Sequence, residues 1–167
     1  MRKVLDALYL ISGIAACIFL AGIGALIMGQ IVARMAGLVF DSTEISGFFM
    51  SAATFLGLAY TFRDGGHVRV SLLIHRLNPS QHRAFELWCC LFSAAIIGYL
   101  AWEAFLFTSE SFQYHDLSPG YMAIPFWIPQ SGMTFGLALL AVAFLDAAVS
   151  IARGGDITYE KNAGVIE

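Results

Sequence analysis

The chain has 167 residues, of which 59% are hydrophobic and only 13% are charged. A soluble domain of this length needs a larger polar fraction to cover its core. The net charge of −3 says little, because the charges are segregated along the chain, but the lack of a lysine- and arginine-rich stripe beyond the loops argues against a nucleic-acid-binding protein.

The apolar residues form four blocks, each long enough to cross a hydrocarbon core about 30 Å thick, which takes about 20 helical residues. The sequence therefore predicts an all-α integral membrane protein with one domain over residues 1–167. Its predicted transmembrane helices cover residues 8–32, 44–62, 84–107 and 127–151. The N-terminal apolar run is too long for a signal peptide, so we interpret it as a retained span.

In the first span, small residues recur at every fourth position from Gly13 to Gly37. Small side chains at this spacing form a shallow groove that lets another helix approach closely, although glycine and alanine are common in all membrane helices. Similar spacings occur in later spans. The residues predicted to pack against a partner subunit are Ala21, Ala25, Gly29, Gly57, Gly132 and Gly136.

A short polar segment, residues 39–46, separates the first two spans. Ser42 or Thr43 suits the N-cap position of the second span. Glu44 lies in the first turn, where the positive end of the helix dipole stabilises an acid. Helix capping and a polar contact to a partner protein are both consistent with Glu44.

A basic loop, residues 63–83, follows the second span. After its Asp-Gly-Gly turn, the apolar spacing predicts a short amphipathic helix in the headgroup plane. We interpret Arg63, His67, Arg69 and Arg76 as anchors at the surface of the lipid bilayer. For His67, a headgroup or backbone contact and a pH-sensing role are alternatives.

The loop of residues 108–126 carries Glu110 and Asp116 but no lysine or arginine. Its prolines exclude a continuous helix, so we predict a structured loop. In the last span, Asp146 is interpreted as pairing locally with a basic group such as Arg153, with a proton relay as the alternative.

Four spans place both termini on one side of the membrane. That side collects eight of the nine lysine and arginine residues, and the other side has only Arg34. The positive-inside rule therefore predicts that both termini and the basic loop are cytoplasmic and that loop 108–126 lies outside.

The centres of the spans are apolar or small, and no catalytic motif or histidine pair at matched depth occurs in them. The sequence therefore predicts neither an enzyme nor a complete transporter, and no catalytic, metal or cofactor residues. Two alternatives remain open: an integral redox or haem-binding membrane protein, and a self-contained homo-oligomeric transporter.

The stretch FLGLAYTFRDGGHVRVSLL, residues 55–73, resembles the small membrane subunit of TRAP (tripartite ATP-independent periplasmic) transporters. Glu44 before the second span and the run IPFWIP at residues 124–129 are also similar to that family. The family often has an acid where this chain has Ser71.

This resemblance implies a non-catalytic subunit in the bacterial inner membrane that braces a large, multi-span, elevator-type subunit. The large subunit would carry the substrate and sodium sites, so no cofactor is expected in this chain. A periplasmic binding protein would deliver the substrate, with C4-dicarboxylates, other organic acids and sialic acids all open. The acids Glu44, Glu110 and Asp116 would help to form its docking face.

Overall fold

Four long helices form the described part of the chain, for which the computed structural model covers residues 2–63, 79–120 and 122–153. They are α1 (Arg2–Met35), α2 (Thr43–Arg63), α3 (Pro79–Tyr114) and α4 (Trp127–Ala152). All four are long and apolar enough to cross a membrane. The predicted all-α fold with four spanning helices is therefore confirmed.

Two helices are longer than predicted. Helix α1 already begins at Arg2, and α3 continues to Tyr114 instead of ending at residue 107. No proline or glycine occurs between residue 107 and Tyr114, and the polar residues there are compatible with a helix. The loop before α4 is therefore residues 115–126, and the predicted amphipathic helix after Arg63 lies outside the described residues.

Helices α1 and α3 both end in a left-handed turn. Gly37 has φ 75° and His115 has φ 55°. In each case the next residue donates its N–H back to a carbonyl of the last helical turn, that of Ala33 at 2.9 Å and that of Ser111 at 3.1 Å. These bonds satisfy carbonyls that a helix end leaves unpaired, and they turn the chain sharply toward the next helix.

The helices pack in the order α1, α2, α4, α3, because the extensive contacts join α1 to α2, α2 to α4, and α4 to α3. Helices α2 and α4 thus lie in the middle of the bundle and run parallel, while α1 and α3 lie at its edges. We call the end where α2 and α4 finish the terminal end, and the opposite end, which carries residues 115–126, the hairpin end.

Glycines allow α4 to pack directly on the backbone of α2. Gly132 faces Ala52, whose Cβ would lie 3.8 Å from a Cβ added to the glycine. Gly136 is closer still, because an added Cβ would overlap the carbonyl group of Phe55 and lie 2.8 Å from its Cβ. Since lipid is as apolar as these side chains, close van der Waals packing holds α2 on α4.

Helix α1 packs on the other side of α2 in the same way. Gly13 makes room for the ring of Tyr60, and Gly22 for the ring of Phe49, with 2.8 Å and 2.7 Å from an added Cβ to the nearest ring atoms. The buried hydroxyl of Ser12 donates a hydrogen bond to a backbone carbonyl of α2. A hydroxyl in apolar surroundings needs such a partner, so this bond fixes the depth of α1 against α2.

We expect Gly136→Ala to lower the free energy of unfolding by about 1–3 kcal/mol, because the added methyl group must displace the backbone of α2. Gly98→Ala is the matched control, since a Cβ at Gly98 meets nothing within 4 Å. Thermal unfolding of the purified protein in detergent measures both variants. Equal transition temperatures for Gly136→Ala and the control would contradict the close α2–α4 contact.

Candidate functional site

Three of the six residues predicted to pack against a partner subunit make their close contacts within this chain. Gly57 faces α1, with 3.6 Å from an added Cβ to the Cβ of Ala16, while Gly132 and Gly136 face α2. At these three positions the small residues serve helix packing within the chain. The small-residue spacing indicated a close helix contact but could not show that the approaching helix belongs to the same chain.

The other three residues, Ala21, Ala25 and Gly29, are exposed along α1. A Cβ at Gly29 would meet nothing within 4 Å. Ile18 and Met28 beside them are 65% and 61% exposed. We call these five residues the free face of α1, since no other described helix covers it.

The chain between α3 and α4 folds back on itself, and we call its described residues, 115–120 and 122–126, the hairpin. Leu117 and Pro125 form an isolated antiparallel bridge, and the N–H of Ser118 donates to the carbonyl of Ile124 at 2.9 Å. Ala123, near the tip, has φ 47°, a left-handed conformation that costs an alanine free energy. The predicted structured loop is thus a short hairpin directly before α4.

The side chain of Glu44 lies against the hairpin. Its Oε2 accepts a hydrogen bond from the N–H of Met122 at 3.1 Å. The carboxylate also rests on Gly120, where an added Cβ would overlap it and lie 2.8 Å from Oε1. Oε1 is buried and has no hydrogen-bond partner among the described residues. Glu44, predicted as a capping or docking acid, therefore links the first turn of α2 to another loop of its own chain.

Ser42, one of the two predicted residues, occupies the N-cap position of α2, because the helix begins at Thr43 and the Ser42 carbonyl accepts the N–H of Ser46 at 2.9 Å. The side chain that binds the N–H at the helix start is that of Asp41. Its Oδ1 accepts hydrogen bonds from the Thr43 hydroxyl at 2.6 Å and from the Thr43 N–H at 2.9 Å. These two bonds hold the pKa of the Asp41 carboxyl below its usual value, and the bond from the hydroxyl has the larger effect. Ser42 instead donates its hydroxyl proton to Oε1 of Gln30 in α1, at 2.5 Å.

The other two predicted docking acids, Glu110 and Asp116, are exposed at the hairpin end. Neither forms an ion pair within the described part of the chain. Leu117 and Met122 of the hairpin are also exposed, by 56% and 42%. The hairpin end therefore combines exposed acids with exposed apolar side chains.

At the terminal end, Arg63 is bound within the chain. Its guanidinium lies 2.6 Å from a carboxylate oxygen of Asp6 in α1 and stands over the ring of Tyr9, 5.3 Å from the centroid. Arg63 was predicted as an anchor at the bilayer surface, but the structure shows it joining the ends of α1 and α2. The other predicted anchors, His67, Arg69 and Arg76, lie outside the described residues.

Comparison with known proteins assigns this arrangement to a family. Residues 23–154, from the middle of α1 to the end of α4, match the family described as tripartite ATP-independent periplasmic transporters, DctQ component. The chain belongs to the DctQ family. The resemblance to the small subunit of TRAP transporters is thereby confirmed, and with four candidate spans the chain is a multi-pass inner-membrane protein.

The chain is also similar to a curated relative, the C4-dicarboxylate TRAP transporter small permease protein DctQ of Rhodobacter capsulatus. The two sequences are 28% identical over 109 residues, which cover 65% of this chain and 48% of the relative. The matched region thus spans about half the length of that relative.

A DctQ component is a non-catalytic transport subunit, as the sequence predicted. Within the described residues, no group of three or more histidine, cysteine, aspartate or glutamate side chains could hold a metal ion. One buried polar residue was missed by the sequence analysis: Tyr9, which is 2% exposed. Its only sequence signal was a polar residue inside an apolar run. Glu86 is also buried, 4% exposed, and lies 3.9 Å from His82. No ion pair between Asp146 and Arg153 is present in the part of the chain that the structure describes.

The Asp6–Arg63 pair can be tested by charge reversal. We expect Arg63→Glu to lower the free energy of unfolding by about 1 kcal/mol or more, because the ion pair and the contact with Tyr9 are both lost and two acids then face each other. Adding Asp6→Arg should restore most of the loss. The control is Arg83→Glu, an exposed arginine at the same end. Thermal unfolding in detergent measures the stability of each variant. A double variant, Asp6→Arg with Arg63→Glu, that is no more stable than Arg63→Glu alone would contradict the pairing.

Proposed function

We propose that this chain is the small permease subunit of a sodium-coupled TRAP transporter for organic acid uptake. It braces a large multi-span membrane subunit, which carries the substrate and the sodium ions. Membership of the DctQ family supports the role of small subunit. The name of the relative from Rhodobacter capsulatus supports a C4-dicarboxylate or a related organic acid as the substrate.

One observation carries the bracing role, and it is the free face of α1. Gly57 of α2 and the two glycines of α4, Gly132 and Gly136, pack within the chain. Ala21, Ala25 and Gly29 of α1 are exposed. In a membrane, a groove of small residues gives a protein helix a closer and larger contact than disordered lipid chains can make. This face is therefore the surface on which the large subunit packs.

The terminal end faces the cytoplasm, and the hairpin end faces the periplasm. Eight of the nine lysine and arginine residues of the sequence belong to the terminal end, and only Arg34 belongs to the hairpin end. This distribution supports the orientation through the positive-inside rule. The basic loop after Arg63 then lies at the anionic cytoplasmic leaflet, which attracts its arginines.

In this orientation, the substrate-binding protein docks at the hairpin end. Glu110 and Asp116 are exposed there and carry no ion pair within the described residues. Exposed charges of one sign steer a partner of opposite charge and raise its association rate. A binding protein with basic groups around its docking surface fits this end of the bundle.

The bracing role is tested by filling the free face. We expect Ala21→Phe and Gly29→Phe to weaken the association with the large subunit by about 1–3 kcal/mol, because bulky rings keep the partner helix away. The stability of the isolated chain should be unchanged, since both residues are exposed. Co-purification from membranes with a tag on this chain measures the association. Ala95→Phe, on the exposed side of α3, is the matched control, and equal yields for all variants would contradict the proposal.

The docking role is tested by reversing the two acids. We expect Glu110→Lys with Asp116→Lys to raise the concentration of binding protein needed for half-maximal transport in proteoliposomes, most strongly at low salt. Assembly with the large subunit should be unaffected. Gln113→Lys is the control, since Gln113 is exposed between the two acids and carries no charge to lose. A double variant with unchanged half-saturation at low salt would rule out electrostatic docking at these acids.

A further inference from the structure

The hairpin has few bonds of its own to hold its conformation. Among the described residues, the bridge of Leu117 to Pro125 is flanked by hydrogen bonds from the N–H of Ser118 to the carbonyl of Ile124 and from the N–H of Phe126 to the carbonyl of Asp116. A short hairpin of this kind is at best marginally stable alone. His115 at its start and Ala123 near its tip both have positive φ, a conformation that disfavours residues other than glycine. A contact from outside the hairpin must therefore contribute to holding it.

Glu44 supplies such a contact. Its carboxylate accepts the N–H of Met122 and rests on Gly120, so it touches both sides of the hairpin tip. Its Oε1 is buried, while the hydrogen bond from the Met122 N–H to Oε2 lies on the exposed side of the contact. Glu44 itself is fixed, because it belongs to the first turn of α2. The strained tip is thus attached to a helix of the central pair.

We infer that Glu44 is a positioning residue, which holds the hairpin as a preformed docking surface for the substrate-binding protein. This inference rests on the docking role proposed above. It identifies the hairpin as the part of the docking surface that is already rigid before the partner binds. With the tip held, Leu117, Met122 and Asp116 keep fixed positions before the partner arrives. Ordering a loop on binding costs free energy, so a preformed loop binds the same partner more tightly.

The contact can be broken from either side. Glu44→Ala removes the acceptor, while Gly120→Ala keeps Glu44 but places a methyl group where its carboxylate lies. Glu44→Gln retains an acceptor oxygen for the Met122 N–H and should preserve most of the effect. Gly47→Ala is the matched control for glycine replacement, since an added Cβ at Gly47 of α2 meets nothing within 4 Å.

Two measurements on the assembled complex of this chain with its large subunit test the inference. Amide hydrogen exchange of residues 117–125 should become faster in Glu44→Ala and in Gly120→Ala, and the double variant should be no faster than either. The half-saturating concentration of the substrate-binding protein in proteoliposomes should rise about tenfold, with little change in maximal rate. Glu44→Gln and Gly47→Ala should resemble the unaltered protein in both measurements.

Unchanged exchange in both Glu44→Ala and Gly120→Ala would overturn the positioning role. Faster exchange with unchanged half-saturation would overturn the link between the hairpin and docking. The proposed function is tested separately, by co-purification and transport measurements on the protein with Glu44 intact. A failure of the proposed function is therefore distinguishable from a failure of this inference. If Glu44→Ala assembles poorly, Gly120→Ala provides the same test with the carboxylate still present.

Discussion

The close approach of α2 and α4 is the constraint on which the rest of the structure depends. Gly136 lies directly on the Phe55 carbonyl group, so the two backbones pack without intervening side chains. The hydrophobic effect does not drive helices together in lipid, so contact area at short range must do so. Because the two helices run parallel, their starts lie at the same end, and the chain entering α4 passes the first turn of α2. The Glu44 contact with the hairpin is a consequence of that geometry.

Hydropathy alone predicted the four helices. It could not predict which neighbour each face of small residues would contact. Positions four apart on an α-helix differ by about 40° in direction, so the six steps from Gly13 to Gly37 turn through about 240°. One sequence pattern therefore serves three purposes. Gly13 packs on Tyr60 of α2, the positions from Ala21 to Gly29 are exposed, and Gly37 forms the left-handed turn after the helix.

The charged residues near the helix ends have contacts within the chain that the sequence did not indicate. Arg63 was expected to meet lipid headgroups, and Glu44 either to cap α2 or to meet a partner protein, and both bind residues of their own chain. Their contacts are Asp6 and Met122, far away in sequence, and no local pattern could indicate them. A charge at the edge of an apolar bundle gains most from a nearby opposite charge or N–H group, because water screens it only partly there. Glu110 and Asp116, on the exposed side of the same end, have no such group within reach among the described residues, and they stay solvated.

The two edges of the bundle, formed by α1 and α3, expose different kinds of side chain to their surroundings. The edge formed by α3 carries stacked aromatic rings, with centroids of Phe85 and Trp88 6.4 Å apart and those of Trp88 and Phe92 5.2 Å apart. Large rings of this kind are compatible with mobile lipid chains and headgroups, which adapt to an uneven surface. The edge formed by α1 exposes the small residues Ala21, Ala25 and Gly29 beside larger apolar side chains such as those of Ile18 and Met28. Disordered lipid fills the groove at such small residues poorly, whereas a helix fits it well. This difference between the two edges supports the proposed bracing role, in which α1 packs on the large subunit and α3 faces the bilayer.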